Sequence, residues 1–462
     1  MTDDFFRACL RAATAFAIAL GAAPWALIAQ EAVDGPGTDN MEVIGRFHPG
    51  DGLRISYTDI EIEQEPNRPY AYLARVLGPT KGMDIVSIED PSSPELLYQW
   101  RIEDPELHIG LGGMDTKYFK HDGRYYVIQS LQFFGGPDSD LGAVVFDVTG
   151  LPDASTVREV GRFRAPETPG GFHNIWAYKH SSGTPVLVAT TSGPHANLYD
   201  LSAFLTGDED QGLIGQVPWP STASDSPFGP MQGYHDFYVA WEPESGRDIL
   251  YGSGLDGYYI YDITDLENPE LLTSIVGVMG VTLAHTLTAT PDAKIGVGQT
   301  EYRYSPLRVY DLGQGIHGDV DRITSEISAW TRNYKALSHN NEMRYPYVFV
   351  SSYKDGIDIF DISDPEDPVG VGWYDTYDGP EKEGLAMDLG LSSGNPVGES
   401  DFNGAFGIDV RNYDGLIVAS DMVTGLWLMR LDGFDGWHGS DYGMPNISSV
   451  QDWDHGPKGL VP

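Results

Sequence analysis

Residues 356–368 read Gly-Ile-Asp-Ile-Phe-Asp-Ile-Ser-Asp-Pro-Glu-Asp-Pro, and this phrase decides the fold. Close copies of it begin at Gly82 and Gly257, and the copies lie roughly fifty to sixty residues apart along the chain. A fixed period of this length is typical of a repeat architecture. We therefore expect each copy to mark one structural unit. Four weaker copies bring the number to seven, and they begin at Gly142, Ala196, Leu307 and Gly425.

The residue pattern of the phrase predicts a strand and then a turn. Apolar residues alternate along its first half, as they do in a buried β-strand. The Asp-x-Ser or Asp-x-Thr that follows is suited to side-chain hydrogen bonds with the turn backbone. The Asp-Pro or Asn-Pro pair then ends the strand pairing. A strand pattern also precedes the phrase, as at residues 347–351, and another follows it, as at 270–276.

Seven such units predict an all-β, seven-bladed β-propeller. An innermost strand before the three strand patterns completes a four-stranded blade, and no long helical pattern competes with this interpretation. The last unit lacks an outermost strand. Residues 41–47, Met-Glu-Val-Ile-Gly-Arg-Phe, resemble the missing one. We therefore expect an N-terminal strand to close the ring.

The phrase resembles the LVIVD repeat of bacterial secreted propellers, in which a glycine, alternating apolar residues and Asp-Ile-Ser-Asp-Pro-x-x-Pro recur once per blade. The resemblance covers about residues 41–435. The copies at Gly257 and Gly356 match closely, whereas those at Ala196 and Leu307 match poorly. The resemblance implies an exported seven-bladed propeller and little about its chemistry, because many functions share one fold.

Composition excludes several partners. The 462 residues include 28 Lys and Arg against 68 Asp and Glu, which gives a formal net charge of −40. Such a chain lacks the basic face that a nucleic-acid backbone or an anionic lipid surface requires. A hydrophobic share of 41% is sufficient for a folded core.

The first residues predict export. Two arginines precede an apolar run at residues 12–29, which a glycine and a proline interrupt, as in a secretory signal peptide. An uncleaved membrane anchor is the alternative, because the run is close to spanning length. Cys9 is the only cysteine and lies in this segment, so the mature chain has no thiol chemistry. We expect a periplasmic or extracellular protein without a membrane span after signal removal.

The chain is accordingly divided into four parts. We assign residues 1–29 to the signal peptide, 30–40 to a linker, 41–435 to the propeller and 436–462 to a C-terminal tail. The oligomeric state stays open.

Four histidines carry the strongest functional signal. His173, His235, His285 and His339 begin four consecutive innermost strands and lie about one blade apart. Innermost strands line the axis of a propeller, so equivalent positions converge there. Convergent imidazoles suit a divalent transition metal such as Fe, Cu, Zn or Mn. The alternative is that each histidine is structural and bonds the backbone of a neighbouring blade.

The other three blades predict an open or acidic side of the ring. Their equivalent stretches contain Asp59, then Met114 and Asp115, and then the largely apolar residues 405–409. A substrate or water molecule would enter there. Together with Asp236, the two aspartates are candidates for general bases or for groups that orient a metal ligand. A solvated carboxylate at a strand end is the alternative for each.

A four-histidine axial metal in a seven-bladed propeller is similar to the iron site of carotenoid-cleaving oxygenases, in which glutamates orient the imidazoles. By position alone, Glu342 and Glu301 are the candidates for that role. The likeness concerns the site and not the repeat. Propeller lyases that act on acidic sugars also use a central histidine–metal site.

These observations predict a metal-dependent enzyme with oxidative or lyase chemistry on a small molecule or a carbohydrate bound at the propeller mouth. The predicted catalytic residues are Asp115, Asp236 and Glu342, with the four histidines as metal ligands. The alternative is a non-catalytic propeller at the cell surface or in the periplasm that binds a protein or a glycan.

Overall fold

A computed structural model describes residues 36–49, 57–220, 233–254, 256–281, 283–301, 304–379, 402–443 and 452–457. The predicted signal peptide and the first part of the predicted linker lie outside these ranges. The described residues form seven antiparallel sheets that follow one another along the chain. We number these sheets as blades 1 to 7, and the predicted seven-bladed propeller is confirmed.

The first strand, β1 (Met41–Phe47), belongs to blade 7. Blade 1 contains β2 (Tyr57–Ile62), β3 (Tyr70–Arg75), β4 (Gly82–Ser87) and β5 (Glu95–Arg101). Blade 2 contains β6 (Gly113–His121), β7 (Arg124–Leu131), β8 (Leu141–Asp147) and β9 (Arg158–Arg164). Blade 3 contains β10 (Ile175–Lys179), β11 (Pro185–Ala189), β12 (His195–Asp200) and β13 (Leu213–Pro218).

The remaining blades follow the same order. Blade 4 contains β14 (Tyr234–Glu242), β15 (Arg247–Gly254), β16 (Gly257–Asp262) and β17 (Glu270–Val276). Blade 5 begins with β18 (Ala284–Ala289), β19 (Ile295–Thr300) and β20 (Leu307–Asp311). The short β21 (Arg322–Ile323) then adds a parallel fifth strand to blade 4, and β22 (Ser328–Trp330) completes blade 5.

Blade 6 contains β23 (Leu337–Arg344), β24 (Tyr347–Tyr353), β25 (Gly356–Asp361) and β26 (Val369–Asp375). Blade 7 contains β27 (Ala405–Val410), β28 (Ile417–Asp421) and β29 (Gly425–Leu431). The α-helices of the described ranges are α1 (Leu201–Leu205) and α2 (Gly313–Ile316), and short 3₁₀ helices lie at Gly78–Thr80, Pro105–Leu107, Ala154–Thr156 and Gly439–Tyr442. None of these helices has the length and apolarity that a bilayer crossing demands.

The ring closes through β1, as predicted. This strand pairs antiparallel with β29, so that Met41 lies opposite Leu431 and Phe47 lies opposite Leu426. Blade 7 therefore combines strands from both ends of the propeller sequence. Closure of this kind ties the first blade to the last and leaves only short blade edges exposed.

The repeated phrase folds as its residues predict. A Cβ atom on Gly356 would lie 2.2 Å from the carbonyl oxygen of Tyr374, and one on Gly82 would lie 2.1 Å from that of Trp100. Glycine is therefore required where the outermost strand approaches the start of the third strand. At the end of β25, the Asp361 carboxylate accepts a 2.7 Å hydrogen bond from the backbone N–H of Ser363, which holds the turn.

The core lies between successive blades. The third strand of blade 2, β8, is buried at every position, and the first five residues of β4 and β25 are buried as well. Burial on both faces explains why these strands contain near-continuous apolar runs. The stacking of blades thus places every innermost strand against the axis.

Six of the seven innermost strands are irregular where they face the axis. At each of these positions the pairing with the second strand shifts register, as in a β-bulge. A bulge inserts an unpaired residue and redirects its side chain. In blade 3 the strand β10 begins two residues after His173, so the corresponding position precedes the strand. The six shifts lie between Tyr57 and Ile60, Gly113 and Thr116, Tyr234 and Asp236, Ala284 and Leu287, Ser338 and Asn341, and Ala405 and Gly407.

Candidate metal centre

The four predicted histidines lie together at the axis. The ring centroids of His173 and His235 are 4.3 Å apart, those of His235 and His285 are 4.5 Å apart, and those of His285 and His339 are 4.0 Å apart. The four imidazoles form one continuous series, which we call the histidine arc. It follows blades 3 to 6 around the axis, because each ring comes from the bulged or pre-strand position of its blade.

Two of the imidazoles have their Nδ1 atoms bound to oxygen acceptors. His173 Nδ1 lies 2.7 Å from the side-chain oxygen of Gln132, and His339 Nδ1 lies 2.7 Å from the backbone oxygen of Phe406. Because a carbonyl oxygen only accepts, each Nδ1 donates its N–H. The Nε2 atom of each neutral ring then carries the lone pair that a metal ion binds.

His285 has the same arrangement through a hydroxyl group. Its Nδ1 lies 2.9 Å from Thr286 Oγ1, and that hydroxyl donates its own proton to the Asp236 carboxylate over 2.5 Å. The hydroxyl must therefore accept from Nδ1. The lone pair of His285 again resides on Nε2, as in His173 and His339.

The Nε2 atoms of His235 and His285 lie close to a carboxylate oxygen, and His173 Nε2 lies beside His235 Nε2. His173 Nε2 and His235 Nε2 are 3.3 Å apart, and Glu301 Oε2 lies 3.4 Å from His235 Nε2 and 4.0 Å from His285 Nε2. The side chains of His235, His285 and Glu301 offer three ligand atoms that all lie within 4.8 Å of one another. Ligand atoms at about 2.1 Å from one ion are about 3.0 to 3.4 Å apart in octahedral or tetrahedral sites. The group therefore approaches coordinating geometry.

Burial keeps three imidazoles of the arc neutral, those of His173, His285 and His339. Desolvation, and then repulsion from neighbouring imidazoles, lowers the pKa of His173 and His285 well below the ordinary value. Burial lowers the pKa of His339 to about 4, although Glu301 and the bond to Phe406 act in the opposite direction. Neutral imidazole is the form that binds a metal.

Glu301 keeps its negative charge. Burial alone would raise the pKa of its carboxyl group, but the hydrogen bond from His235, the electrostatic interactions with the His339 and His235 rings and the bond from Tyr353 outweigh burial and lower it. The hydroxyl of Tyr353 also donates to Glu301 Oε1 over 3.2 Å. The same tyrosine ring stacks on His339 with a centroid separation of 4.6 Å. Tyr353 thus connects the carboxylate to the arc.

The arc opens to solvent at one end. His285 and His339 are buried, whereas His173 and His235 are half-buried. The more solvent-accessible end of the arc is therefore on the side of blades 3 and 4.

The remaining three blades carry no imidazole at the equivalent position. Phe406, Thr58 and Met114 occupy it, and all three are buried. The Thr58 hydroxyl donates to the backbone oxygen of Gly113 over 2.9 Å, so its polar group is already engaged. Phe406 and Met114 belong to an apolar cluster with Tyr353. This side of the ring is apolar, in contrast to the predicted acidic or open side.

The predicted acidic residues lie one layer further along the axis. Lys117 Nζ lies 2.7 Å from Asp115 Oδ1, 2.8 Å from Asp59 Oδ2 and 3.8 Å from Glu61 Oε2. Burial alone would raise the pKa of Asp59, but the Lys117 ammonium group outweighs it and lowers it. These carboxylates are buried and ion-paired, so the solvated alternative is wrong for Asp59 and Asp115. They line an axial cavity together with Asp236.

Asp236 and Glu342 have different surroundings. Burial raises the pKa of Asp236 to about 6, and its carboxylate accepts from the Phe237 backbone N–H as well as from Thr286. Glu342 also lines the axial cavity, and its Oε2 accepts a 2.8 Å bond from Arg344 Nη1. Of the two glutamates considered as orienting groups, Glu301 thus contacts the histidines, whereas Glu342 pairs with an arginine.

Sequence reasoning missed Gln132, Thr286 and Tyr353. Gln132 and Glu301 each directly follow the second strand of a blade, β7 and β19 respectively. Because the end of the second strand lies beside the start of the innermost strand, a polar residue there reaches the axial mouth. That position was a usable signal in the sequence. Tyr353 and Thr286 had none, since neither stands out from its strand.

Comparison with known proteins supports the repeat. Residues 346–376 match the LVIVD repeat family. The matched range covers β24, β25 and β26, which are the three outer strands of blade 6. The chain is a β-propeller that carries the LVIVD repeat. No curated protein matches it. The LVIVD match concerns the fold of the blade and carries no information about the chemistry of the arc.

Proposed function

We propose that this LVIVD-repeat propeller binds one divalent transition-metal ion at the histidine arc and uses it in oxidative or lyase chemistry on a small organic molecule. The observation that carries the proposal is His285 Nε2. It is buried, it faces Glu301 at 4.0 Å, and it has no hydrogen-bond partner among the described residues. An unsatisfied buried polar atom costs about 1–3 kcal/mol. A metal ion would supply the missing interaction.

The donor set fits such an ion. Imidazole nitrogens suit Zn, Cu and Fe, and the neighbouring carboxylate extends the range to Mn. His173, His235, His285 and His339 would hold the ion, and Gln132, Thr286 and the Phe406 carbonyl keep three of the rings oriented by accepting from Nδ1. When bound, the ion supplies Lewis acidity, or redox chemistry if it is Fe or Cu.

Other axial residues have supporting roles in this proposal. Asp236 fixes the direction of the Thr286 hydroxyl and through it the tautomer of His285. The Lys117 ion pairs hold Asp115 in place and leave it unsuited to act as a free general base. Phe406 and Met114 belong to a buried apolar cluster beside the arc, and an apolar wall of this kind favours a substrate with an apolar part over a fully hydroxylated sugar.

Metal analysis of the purified full chain tests the proposal. We expect the metal-free protein to take up one ion per chain from Mn(II), Fe(II), Zn(II) or Cu(II), measured by dialysis and elemental analysis. His285→Gln should lose this ion. His317→Gln should keep it, since His317 belongs to a separate group with Glu242 and Glu244.

Two results would count against the metal site. One is a wild-type chain that retains none of these ions. The other is equal binding by His285→Gln and wild type, with a loss only in His317→Gln, which would place the ion at the surface. Circular dichroism of each variant shows that the propeller remains folded.

A non-catalytic binding role is the second candidate. Three large apolar side chains are strongly exposed: Met279 at 82%, Tyr304 at 65% and Ile109 at 58%. They lie on loops that enter an innermost strand or leave a second strand, which is the face where the arc opens. A metal-free wild-type protein that binds an extracellular protein or glycan, with binding lost in Met279→Ser, would favour this role.

We also propose that the chain is exported with its first 29 residues removed. The signal-like composition of those residues and the location of Cys9 within them support this proposal. Intact-mass measurement of protein from a periplasmic extract should give the mass of residues 30–462. A full-length mass confined to the cytosolic fraction would contradict it.

A further inference from the structure

We propose that Glu301 is itself a ligand of the ion, so that the site combines imidazole nitrogens with one carboxylate oxygen. This inference rests on the proposed metal function. It differs from an orienting role, in which the glutamate would only accept a hydrogen bond from an imidazole.

The backbone fixes Glu301 beside the arc. It follows β19, which pairs with β18, the strand that carries His285, and Thr300 lies opposite Ala284 in that pairing. The Glu301 backbone N–H donates to the carbonyl oxygen of Leu283 over 3.1 Å. The residue is therefore held by the same pair of strands that positions the most buried imidazole of the arc.

The two carboxylate oxygens have separate partners. Oε1 accepts from the Tyr353 hydroxyl, and Tyr353 is held in turn by stacking on His339. Oε2 is left to face His235 Nε2 at 3.4 Å and His285 Nε2 at 4.0 Å. The carboxylate thus presents one lone-pair-bearing oxygen to the point where the Nε2 atoms converge.

Proton counting favours a cation over hydrogen bonds alone. His235 Nε2 faces both His173 Nε2 at 3.3 Å and Glu301 Oε2 at 3.4 Å. His173 Nε2 carries a lone pair, because the proton of that ring is on Nδ1. A single proton on His235 Nε2 cannot bond both acceptors well, and it leaves His285 Nε2 without a partner. One metal ion would satisfy His235 Nε2, His285 Nε2 and Glu301 Oε2, which all lie within 4.8 Å of one another.

The separations agree with shared coordination. Neighbouring ligand atoms of one ion at about 2.1 Å are about 3.0–3.4 Å apart. The separation of 3.4 Å is at this limit, and that of 4.0 Å needs a contraction of about 0.6 Å. The half-buried Glu301 side chain has the freedom to make this movement.

A carboxylate ligand changes which ion is preferred. It adds a hard oxygen donor and cancels one of the two positive charges of the ion. Carboxylates suit Mn(II), whereas a site of imidazoles alone suits Cu and Zn. We therefore expect Glu301 to increase the affinity for Mn(II) more than that for Cu(II).

The decisive comparison is between Glu301→Gln and wild type, with Glu244→Gln as the control at the separate surface group. The amide keeps the size of the side chain and its acceptor oxygen for Tyr353. Titration of the metal-free full chain with Mn(II), followed by electron paramagnetic resonance, should show at least a 10-fold loss of affinity in Glu301→Gln. The loss for Cu(II) should be smaller, and Glu244→Gln should bind as wild type does.

Co(II) substitution separates a ligand from an orienting residue. Loss of a ligand changes the energies and intensities of the visible d–d bands, so Glu301→Gln should have an altered spectrum. Unchanged bands with unchanged Mn(II) affinity would overturn the inference while the metal site stands, provided that His285→Gln still abolishes binding. If wild type binds none of the ions, the proposed function itself is wrong.

Discussion

The axial ring has two halves with similar backbones and different chemistry. In blades 1 and 2 the polar groups next to the axis are paired, since Lys117 lies within 2.8 Å of both Asp59 and Asp115. In blades 4 and 5 the hydrogen bonding of the polar groups near the axis is incomplete among the described residues. His235 Nε2 faces two acceptors, and His285 Nε2 has no hydrogen-bond partner in the described part of the chain.

This difference distinguishes a structural polar cluster from a candidate functional one. Buried polar groups in folded proteins are normally satisfied, so a cluster that is complete by itself needs no ligand. A cluster in which a buried polar atom lacks a partner is a candidate binding site for an ion or another ligand. The innermost strands bring both clusters to the axis in adjacent layers, and the side chains in each layer decide which outcome results.

Removal of the lysine that pairs with the axial carboxylates should have the largest effect on stability. In Lys117→Met, the buried carboxylates of Asp59 and Asp115 lose their shared counter-ion, and we expect the free energy of unfolding to fall by about 3–5 kcal/mol. Urea denaturation measures this loss. Lys120 lies further along β6 and pairs with the half-buried Glu65 and the exposed Asp454, so Lys120→Met should change it by less than about 1 kcal/mol. Equal effects of the two substitutions would show that the axial pair is not special.

Binding of a metal ion at the histidine arc should stabilise the folded protein. A ligand that binds only the folded state at 100 times its dissociation constant adds about 2.7 kcal/mol to the free energy of unfolding. We expect this gain when Zn(II) or Mn(II) is added to the metal-free chain, and a chelator should reverse it. His285→Gln should show no gain. A similar gain in that variant would place the ion outside the arc.

Removal of the hydrogen bond that orients one imidazole should have a smaller effect, which is a loss of metal affinity. Thr286→Val removes the hydroxyl that accepts from His285 Nδ1 and keeps the side-chain shape. Loss of such a supporting group costs about 10–100-fold in metal affinity. Thr288→Val is the matched control, because its hydroxyl contacts Asn341 instead. Competition with a chromophoric chelator measures both affinities, and an unchanged value for Thr286→Val would contradict the proposed tautomer control.

The last prediction concerns pH and the buried carboxyl group of Asp409. Burial, and then the charge of Glu342, raises the pKa of Asp409 to about 7, although Arg344 acts in the opposite direction. Glu61 is a further acidic group that interacts with it. The folded state therefore retains a proton that the unfolded chain releases near pH 4, so this group loses its stabilising contribution as the pH rises from about 4 to about 7.

Asp409→Asn should reduce that loss. The free energy of unfolding of the variant, compared with wild type by urea denaturation across the same interval, should fall less steeply as the pH rises. The histidines are unchanged in both proteins, so their own titration cancels in the comparison. Identical slopes for the two proteins would show that Asp409 does not titrate in this range.

Much of the arc was predictable, because the histidines belong to the repeat. Each occupies the same position relative to its blade, so a count along the sequence placed all four at the axis. Glu301 and Gln132 were harder to place, since they come from second strands and reach the arc only because the blades stack. The role of Lys117 was not predictable, because its partner Asp59 lies in another blade.

By itself the sequence determined seven four-stranded units, the closing strand at residues 41–47 and the register of the four histidines. These features depend on local patterns of burial, glycine and turn hydrogen bonds, which each segment carries within itself. Only the tertiary structure decided which nitrogen of His173, His285 and His339 carries the lone pair, which charges are paired and that His285 Nε2 lacks a hydrogen-bond partner among the described residues. Those properties depend on distances between residues of different blades and on the loss of water around them, and neither is encoded in a single segment.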